Sequence, residues 1–149
     1  MFLLGGCASN ESVKPVKSFS ENAGVKFRNF TYDCTVVYNG KAVTLSAQST
    51  SAAGLVLTYD GKTLGITYDD ISLSQIDNHL NSSNPAIAIY EAIEYVNNTQ
   101  ESDVSTVKNG FVINGETSLG DFTLETDGEF YPVSLVFKDA ELSFDFKSE

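Results

Sequence analysis

The sequence predicts a mainly β protein of the α+β kind: a curved, eight-stranded antiparallel sheet, a half-barrel, wrapped around a central helix. Three observations carry that prediction. From Val25 onward apolar and polar residues alternate, which is the period of a half-buried strand. Asn39-Gly40, Asp60-Gly61 and Asp127-Gly128 punctuate the alternation as hairpin turns do. Asn84-Pro85 opens a single stretch of helical spacing.

A two-residue turn fixes register, so each hairpin can be tested on paper. Around Asn39-Gly40 the predicted partners are Val36 with Val43, Cys34 with Leu45, and Tyr32 with Ala47. Around Asp60-Gly61 they are Leu57 with Leu64, Leu55 with Ile66, and Ala53 with Tyr68. Around Asp127-Gly128 they are Leu124 with Tyr131 and Phe122 with Val133. A fourth turn at Asp139-Ala140 pairs Phe137 with Leu142, Leu135 with Phe144, and Val133 with Phe146, and sets Pro132 opposite Lys147. Apolar meets apolar each time, and a slip of one residue would turn every set into water. Thr31, Asp33, Thr35, Thr123, Glu125, Glu141, Ser143 and Asp145 form the opposite, solvated face. Asn114-Gly115 is a fifth turn candidate, with a longer or bulged loop.

In the middle of the chain Asn84 is the N-cap and Pro85 the first helical residue. Ala86, Ile89, Tyr90, Ile93 and Val96 then recur on one face, so the helix runs from about Pro85 to Asn97. Ser74–Leu80 forms a short preceding helix and Asn97–Val104 a polar loop. Eight one-sided strands present about three inward apolar residues each. One helix cannot cover them all, so the sheet curls and leaves an apolar groove that suits a hydrophobic ligand. The expected groove residues on the sheet are Tyr32, Leu55, Leu57, Ile66, Tyr68, Phe122, Leu124, Leu135 and Phe137. Ile89 and Ile93 complete it from the helix, which is read as a lid hinged at the polar segments on either side.

The 149 residues fit one domain, and 42% hydrophobic with 19% charged residues is globular. Twenty acidic residues against nine basic ones, a formal charge of −11, exclude nucleic acid as a partner, because nothing would neutralise phosphates. Two cysteines, one histidine and no tryptophan leave little for a disulfide framework, a metal site or histidine catalysis. The reading is therefore not an enzyme, with no cofactor and no metal. Cys34 is a core thiol, His79 a solvated polar residue, and Asp69-Asp70 with Asp77 an acidic surface that lacks the spacing of a calcium loop. The aromatic stripe (Phe30, Tyr32, Tyr59, Tyr68, Phe122, Tyr131, Phe137, Phe144 and Phe146) is core first, and part of it lines the groove.

The N-terminus carries the sharpest motif. Leu4-Gly5-Gly6-Cys7 reads as a bacterial lipobox: an apolar residue, two small ones for the peptidase, and the cysteine whose thiol takes the lipid. Only Phe2 and Leu3 lie between Met1 and the box, so Met1 is read as lying inside a longer signal peptide. The organisation expected is a signal remnant at 1–6, a lipidated tether at 7–24 rich in Ser, Asn, Lys and Glu, and a single domain at 25–149. The membrane is then a partner through Cys7, and the location is the bacterial cell envelope, outside the cytoplasm. Oligomeric state is not legible. The four Asn-x-Ser/Thr sequons are chance in such a protein.

With the lipobox, the meander, the Asn84-Pro85 helix and the closing run Gly120–Phe137, the chain resembles the LolA/LppX-like half-barrel lipoproteins over about residues 25 to 147. That resemblance implies carriage of lipids or lipoproteins in the concave face of the sheet under a helical lid. The competing expectation is a surface lipoprotein of structural or interaction type, with its core fully packed and its sheet edges used for partners. An internal apolar cavity above about 300 Å³ favours the first, and a closed core favours the second.

Overall fold

The computed structural model describes residues 15–76, 83–99 and 104–147. Among these described residues, eleven antiparallel strands form one sheet around one long helix. In chain order these are β1 Phe19–Phe27, β2 Phe30–Tyr38, β3 Val43–Ala47, β4 Val56–Tyr59, β5 Thr63–Tyr68, β6 Ile71–Ile76, α1 Pro85–Asn98, β7 Val104–Val107, β8 Gly110–Thr117, β9 Gly120–Asp127, β10 Pro132–Phe137 and β11 Leu142–Lys147. The order across the sheet is β6-β5-β4-β3-β2-β1-β11-β10-β9-β8-β7. Two meanders therefore join where β1 pairs with β11, and the edges are β6 and β7.

Curvature follows from what α1 touches. The helix packs on β3 and β4 and also on β8. From β3 to β8 is six interstrand steps, or about 29 Å at about 4.8 Å each. A helix is only about 10–12 Å across, so the sheet must curl around it. The concave face is the core. Val25, Val36, Val43, Leu45, Ile113, Leu135, Phe137 and Phe144 are buried on the strands, and Ala86, Ala88, Ile89, Ala92 and Val96 on the helix. The opposite face is solvated as the alternation requires: Thr31, Asp33, Glu125 and Asp145 are exposed, with Thr35, Thr123 and Ser143 half-buried.

The strand count expected from sequence is too low by three, and the additions have identifiable causes. β1 begins at Phe19, inside the segment read as a tether, and Val16 is already buried. Its inward residues include Ala23, too small to mark a strand in sequence. Ser74–Ile76, read as the start of a helix, belongs to β6, paired with β5. Val104, read as loop, opens β7. The rest of the expected 74–80 helix, with Asp77 and His79, lies outside the described residues, as does Cys7.

In the first two hairpins the face assignments survive while register moves. Observed partners are Tyr38 with Val43, Val36 with Leu45, and Cys34 with Ala47 in one hairpin, and Tyr59 with Leu64 and Leu57 with Ile66 in the next. Both are displaced by two residues from the expected pairing, which keeps every side chain on its own face. The cause is the Asx side chain. Asn39 Oδ1 accepts from the N–H groups of Lys41 and Ala42, and Asp60 Oδ1 from those of Lys62 and Thr63. Each Asx residue is thus the first corner of its turn rather than a central residue. Gly40 (φ 89°) and Gly61 (φ 90°) become the first central residues, each followed by a lysine of ordinary φ, as in a type II′ turn.

The third hairpin is longer. Asp127 Oδ1 accepts from Glu129 and Tyr131, and Phe130 takes φ 67°. Leu124 therefore faces Leu135 instead of Tyr131. A bulge between Pro132 and Ser134 flips the phase there, leaving Val133 exposed and Pro132 buried, so neither Phe122 nor Phe146 faces Val133. The fourth hairpin keeps its expected partners, Phe137 with Leu142 and Leu135 with Phe144. Asn114-Gly115 is no turn. Both residues lie within β8, and the chain reverses at Ser118-Leu119 instead.

Candidate functional site

The helix start is as the sequence requires: Asn84 Oδ1 accepts from the Ala86 N–H at 3.0 Å, and Pro85 is the first helical residue. The axis is pinned along its length. Tyr90 meets Tyr59 edge-on at 5.1 Å, and Glu91 Oε2 accepts from the N–H and Oγ of Ser118. Tyr95 meets Phe122 edge-on at 5.4 Å. Asn97 at the far end accepts from the Val16 N–H and donates to the Tyr38 hydroxyl. Ile89 and Ile93 are buried in the core against the sheet (0% and 3% exposed). α1 is a core element, packed on both halves of the sheet, rather than a loose cover.

The eleven expected groove residues divide accordingly. Leu57, Ile89, Ile93, Phe122, Leu124, Leu135 and Phe137 are sealed in the core. Tyr32, Leu55 and Ile66 are half-buried, and Tyr68 is exposed. The sequence could not separate the groups, because the inward face of a strand looks alike whether the helix reaches it or not.

Of the four accessible residues, Tyr32 borders the space at the helix N-terminal end, and Leu55, Ile66 and Tyr68 are not among its walls. There a cleft of about 310 Å³ is walled by Phe27, Phe30, Tyr32, Ala52, Pro85 and Leu142. Hydroxyls of Thr31, Thr50, Ser51 and Ser83 complete it, and none of these lining side chains is charged. Each wall has a local reason. Phe27 and Phe30 are the last and first residues of β1 and β2, paired across the Arg28-Asn29 turn. Leu142 opens β11 opposite Phe27. Ala52 closes the short 3-10 turn Thr50–Ala52, which Thr50 enters at φ 65°. Phe30 is 73% exposed at the mouth, a large ring held in water by its strand. Burial pushes the Tyr32 phenol up to about 12, with the nearby Cys34 thiol adding to the shift, so Tyr32 enters any contact as a neutral donor.

Among the described residues, nothing covers the concave face beyond the Thr50–Ala52 turn. Tyr68, Ile71 and Leu73 on β5 and β6 are 41%, 62% and 63% exposed. Two larger depressions are of different character. One of about 440 Å³ is bordered by Glu91, Glu94 and Glu116, and another of about 710 Å³ by Glu116, Asp121 and Lys138. Their charged rims disfavour an apolar occupant. Sequence reasoning missed Phe27, Ala52, Pro85 and Leu142, and assigned Phe30 to the aromatic core. The available signal was the run Phe27-Arg28-Asn29-Phe30, a turn more aromatic than a turn needs to be. Among the described residues no group of three or more His, Cys, Asp or Glu side chains is placed to hold a metal ion, and no helix is long and apolar enough to cross a membrane.

No family model matches the chain, and no curated protein matches it in sequence. Among solved structures, it is similar to a LolA superfamily protein from Nitrosomonas europaea. The identity is 11% over 91% of this chain and 86% of that one, with a TM-score of 0.42.

Proposed function

We propose that this chain is a non-catalytic lipoprotein of the bacterial cell envelope, which binds a hydrophobic, lipid-like ligand in the cleft beside the helix N-terminus. The observation that carries the reading is the cleft itself: about 310 Å³, six apolar walls, no charged lining side chain, and an exposed Phe30 at its entrance. That volume is at the lower bound for small-molecule sites, which runs from about 300 to 1,000 Å³. It suits one acyl chain or a compact apolar molecule rather than a whole multi-chain lipid. The proposed anchor is a lipid on Cys7, in Leu4-Gly5-Gly6-Cys7, which holds the domain at the outer surface of a membrane.

The test is a panel of single-chain amphiphiles and apolar dyes, read by melting temperature and direct titration. Ligand that binds only the native state raises the melting temperature with concentration. Phe30→Asp should keep the fold, because that ring is mostly in water, and weaken binding. Ala52→Phe, which fills the cleft, should abolish it. A panel with no binder ends the reading. The anchor is tested separately by acyl mass on Cys7 and its loss in Cys7→Ser.

A second reading, a surface lipoprotein that contacts other proteins, is favoured by a different observation. Among the described residues no strand pairs with the outer edge of β6, which carries Ile71 and Leu73 in water, where a partner strand could add.

A further inference from the structure

The cleft has no charge in its walls, but one lies at its border. Arg28, the only arginine in the sequence, is the first central residue of the β1–β2 turn between the two wall residues Phe27 and Phe30. Its guanidinium carbon lies 5.2 Å from the centre of the Phe27 ring, within cation–π range. Its backbone is fixed as well: φ is 53°, and its N–H donates to the Glu141 carbonyl at 2.9 Å. Among the described residues the guanidinium forms no salt bridge; the two that exist use Lys17 and Lys147. In a chain of net charge −11 this is an uncommitted cation, on the ring of a cleft wall, with a planar fork of donors.

Resting on the cleft reading above, we propose that the ligand is an anionic amphiphile, a single acyl chain with a carboxylate or phosphate head. The chain fills the space between Phe27, Tyr32, Ala52 and Leu142, and the head pairs with Arg28 outside it. Guanidinium binds either head by paired N–H···O bonds, while the uncharged wall offers the head no competing cation. Glu141, the acidic neighbour whose carbonyl holds the Arg28 N–H, limits the gain, as does exposure to water.

The test compares dodecanoate, dodecyl phosphate and dodecanol, the anions below their micelle concentrations and the alcohol below its solubility limit, by calorimetric titration at low salt and pH 7.5. The two anions should bind wild type about fivefold more tightly than the alcohol, the size expected of an exposed charged pair. Added salt should shrink that preference. Arg28→Gln should bind all three alike, at the wild-type affinity for dodecanol, and Arg28→Lys should keep part of the preference. A phosphate stronger than the carboxylate identifies a phospholipid-type head, and the reverse a fatty acid. Equal wild-type affinity for alcohol and anions, or an anion preference that survives in Arg28→Gln, overturns the role of Arg28 and leaves the cleft reading standing. Binding of none of the three overturns both.

Discussion

The Tyr95 ring occupies the space that Gly115 leaves empty. A Cβ on Gly115 would collide with Cε1 of Tyr95 and lie 2.7 Å from Cε1 of Phe122, while those two rings meet edge-on at 88°. β8 therefore needs a residue without a side chain where Tyr95 of the helix packs on it. The Asn-Gly pair that reads as a turn in sequence is instead a docking notch.

Gly115→Ala should consequently destabilise the fold by about 1–3 kcal/mol through overpacking. Tyr95→Leu in the same chain should recover part of the loss, since the two sites are in contact and do not add. Chemical denaturation of the two single variants and the double variant measures the coupling. Simple additivity would refute the notch.

Two glycines with the same φ separate backbone strain from crowding. A Cβ at Gly40 would meet nothing closer than Ser18 Oγ at 3.7 Å, whereas at Gly61 the Tyr90 hydroxyl would be 2.5 Å away. Gly40→Ala should cost about 1–2 kcal/mol for the left-handed backbone alone. Gly61→Ala should cost more, because Tyr90 must leave its edge-on contact with Tyr59. Equal losses in thermal unfolding would contradict the placement of Tyr90.

The helix is core, and its truncation should show it. Ile89→Ala should lose about 2–5 kcal/mol, and Leu135→Ala on β10 a similar amount. Thr35→Ser on the solvated face should stay within about 0.5 kcal/mol. Amide exchange in 86–96 should be as slow as in β2 and β11, because no part of α1 opens without exposing the core. Fast exchange confined to the helix would restore the lid.

Stability should fall on the alkaline side. Burial, with Asp33 as the lesser cause, pushes the Cys34 thiol from 9.0 up to about 12, and burial raises the Tyr32 phenol from 10.0 to about 12. The folded state thus holds these protons more tightly than the unfolded chain. Their contribution is complete below pH 9 and is lost as pH rises toward 12. Denaturation midpoints should drop across that window, less steeply in Cys34→Ala, and Cys34 should resist thiol reagents at pH 8 in the folded protein. A midpoint that is flat from pH 8 to 11 would contradict the burial of these groups.

What the sequence makes legible here is periodicity, and what it hides is contact. The faces of Cys34, Val36, Leu124 and Leu135 follow from alternation alone. Their register does not, because Asn39 and Asp60 use their side chains as acceptors and move each turn on by one residue. β1 escapes notice since Ala23 and Gly24 carry no apolar bulk, although Phe19 and Val25 flank them. The groove list mixes sealed and accessible residues for a similar reason. Leu57 and Phe137 cannot be told from Tyr32 and Tyr68 until the path of α1 is known. Phe30 reads as core from its period, yet it stands at the rim because its strand starts there.

The most direct test of the cleft reading is a titration of isotope-labelled protein with dodecanoate, followed residue by residue in NMR spectra. The account requires saturable shifts at Phe27, Phe30, Thr31, Ala52 and Leu142, with Val133 and the β9–β10 turn unmoved. Shifts confined to Ile71 and Leu73 on the β6 edge, or none at any concentration, would contradict it.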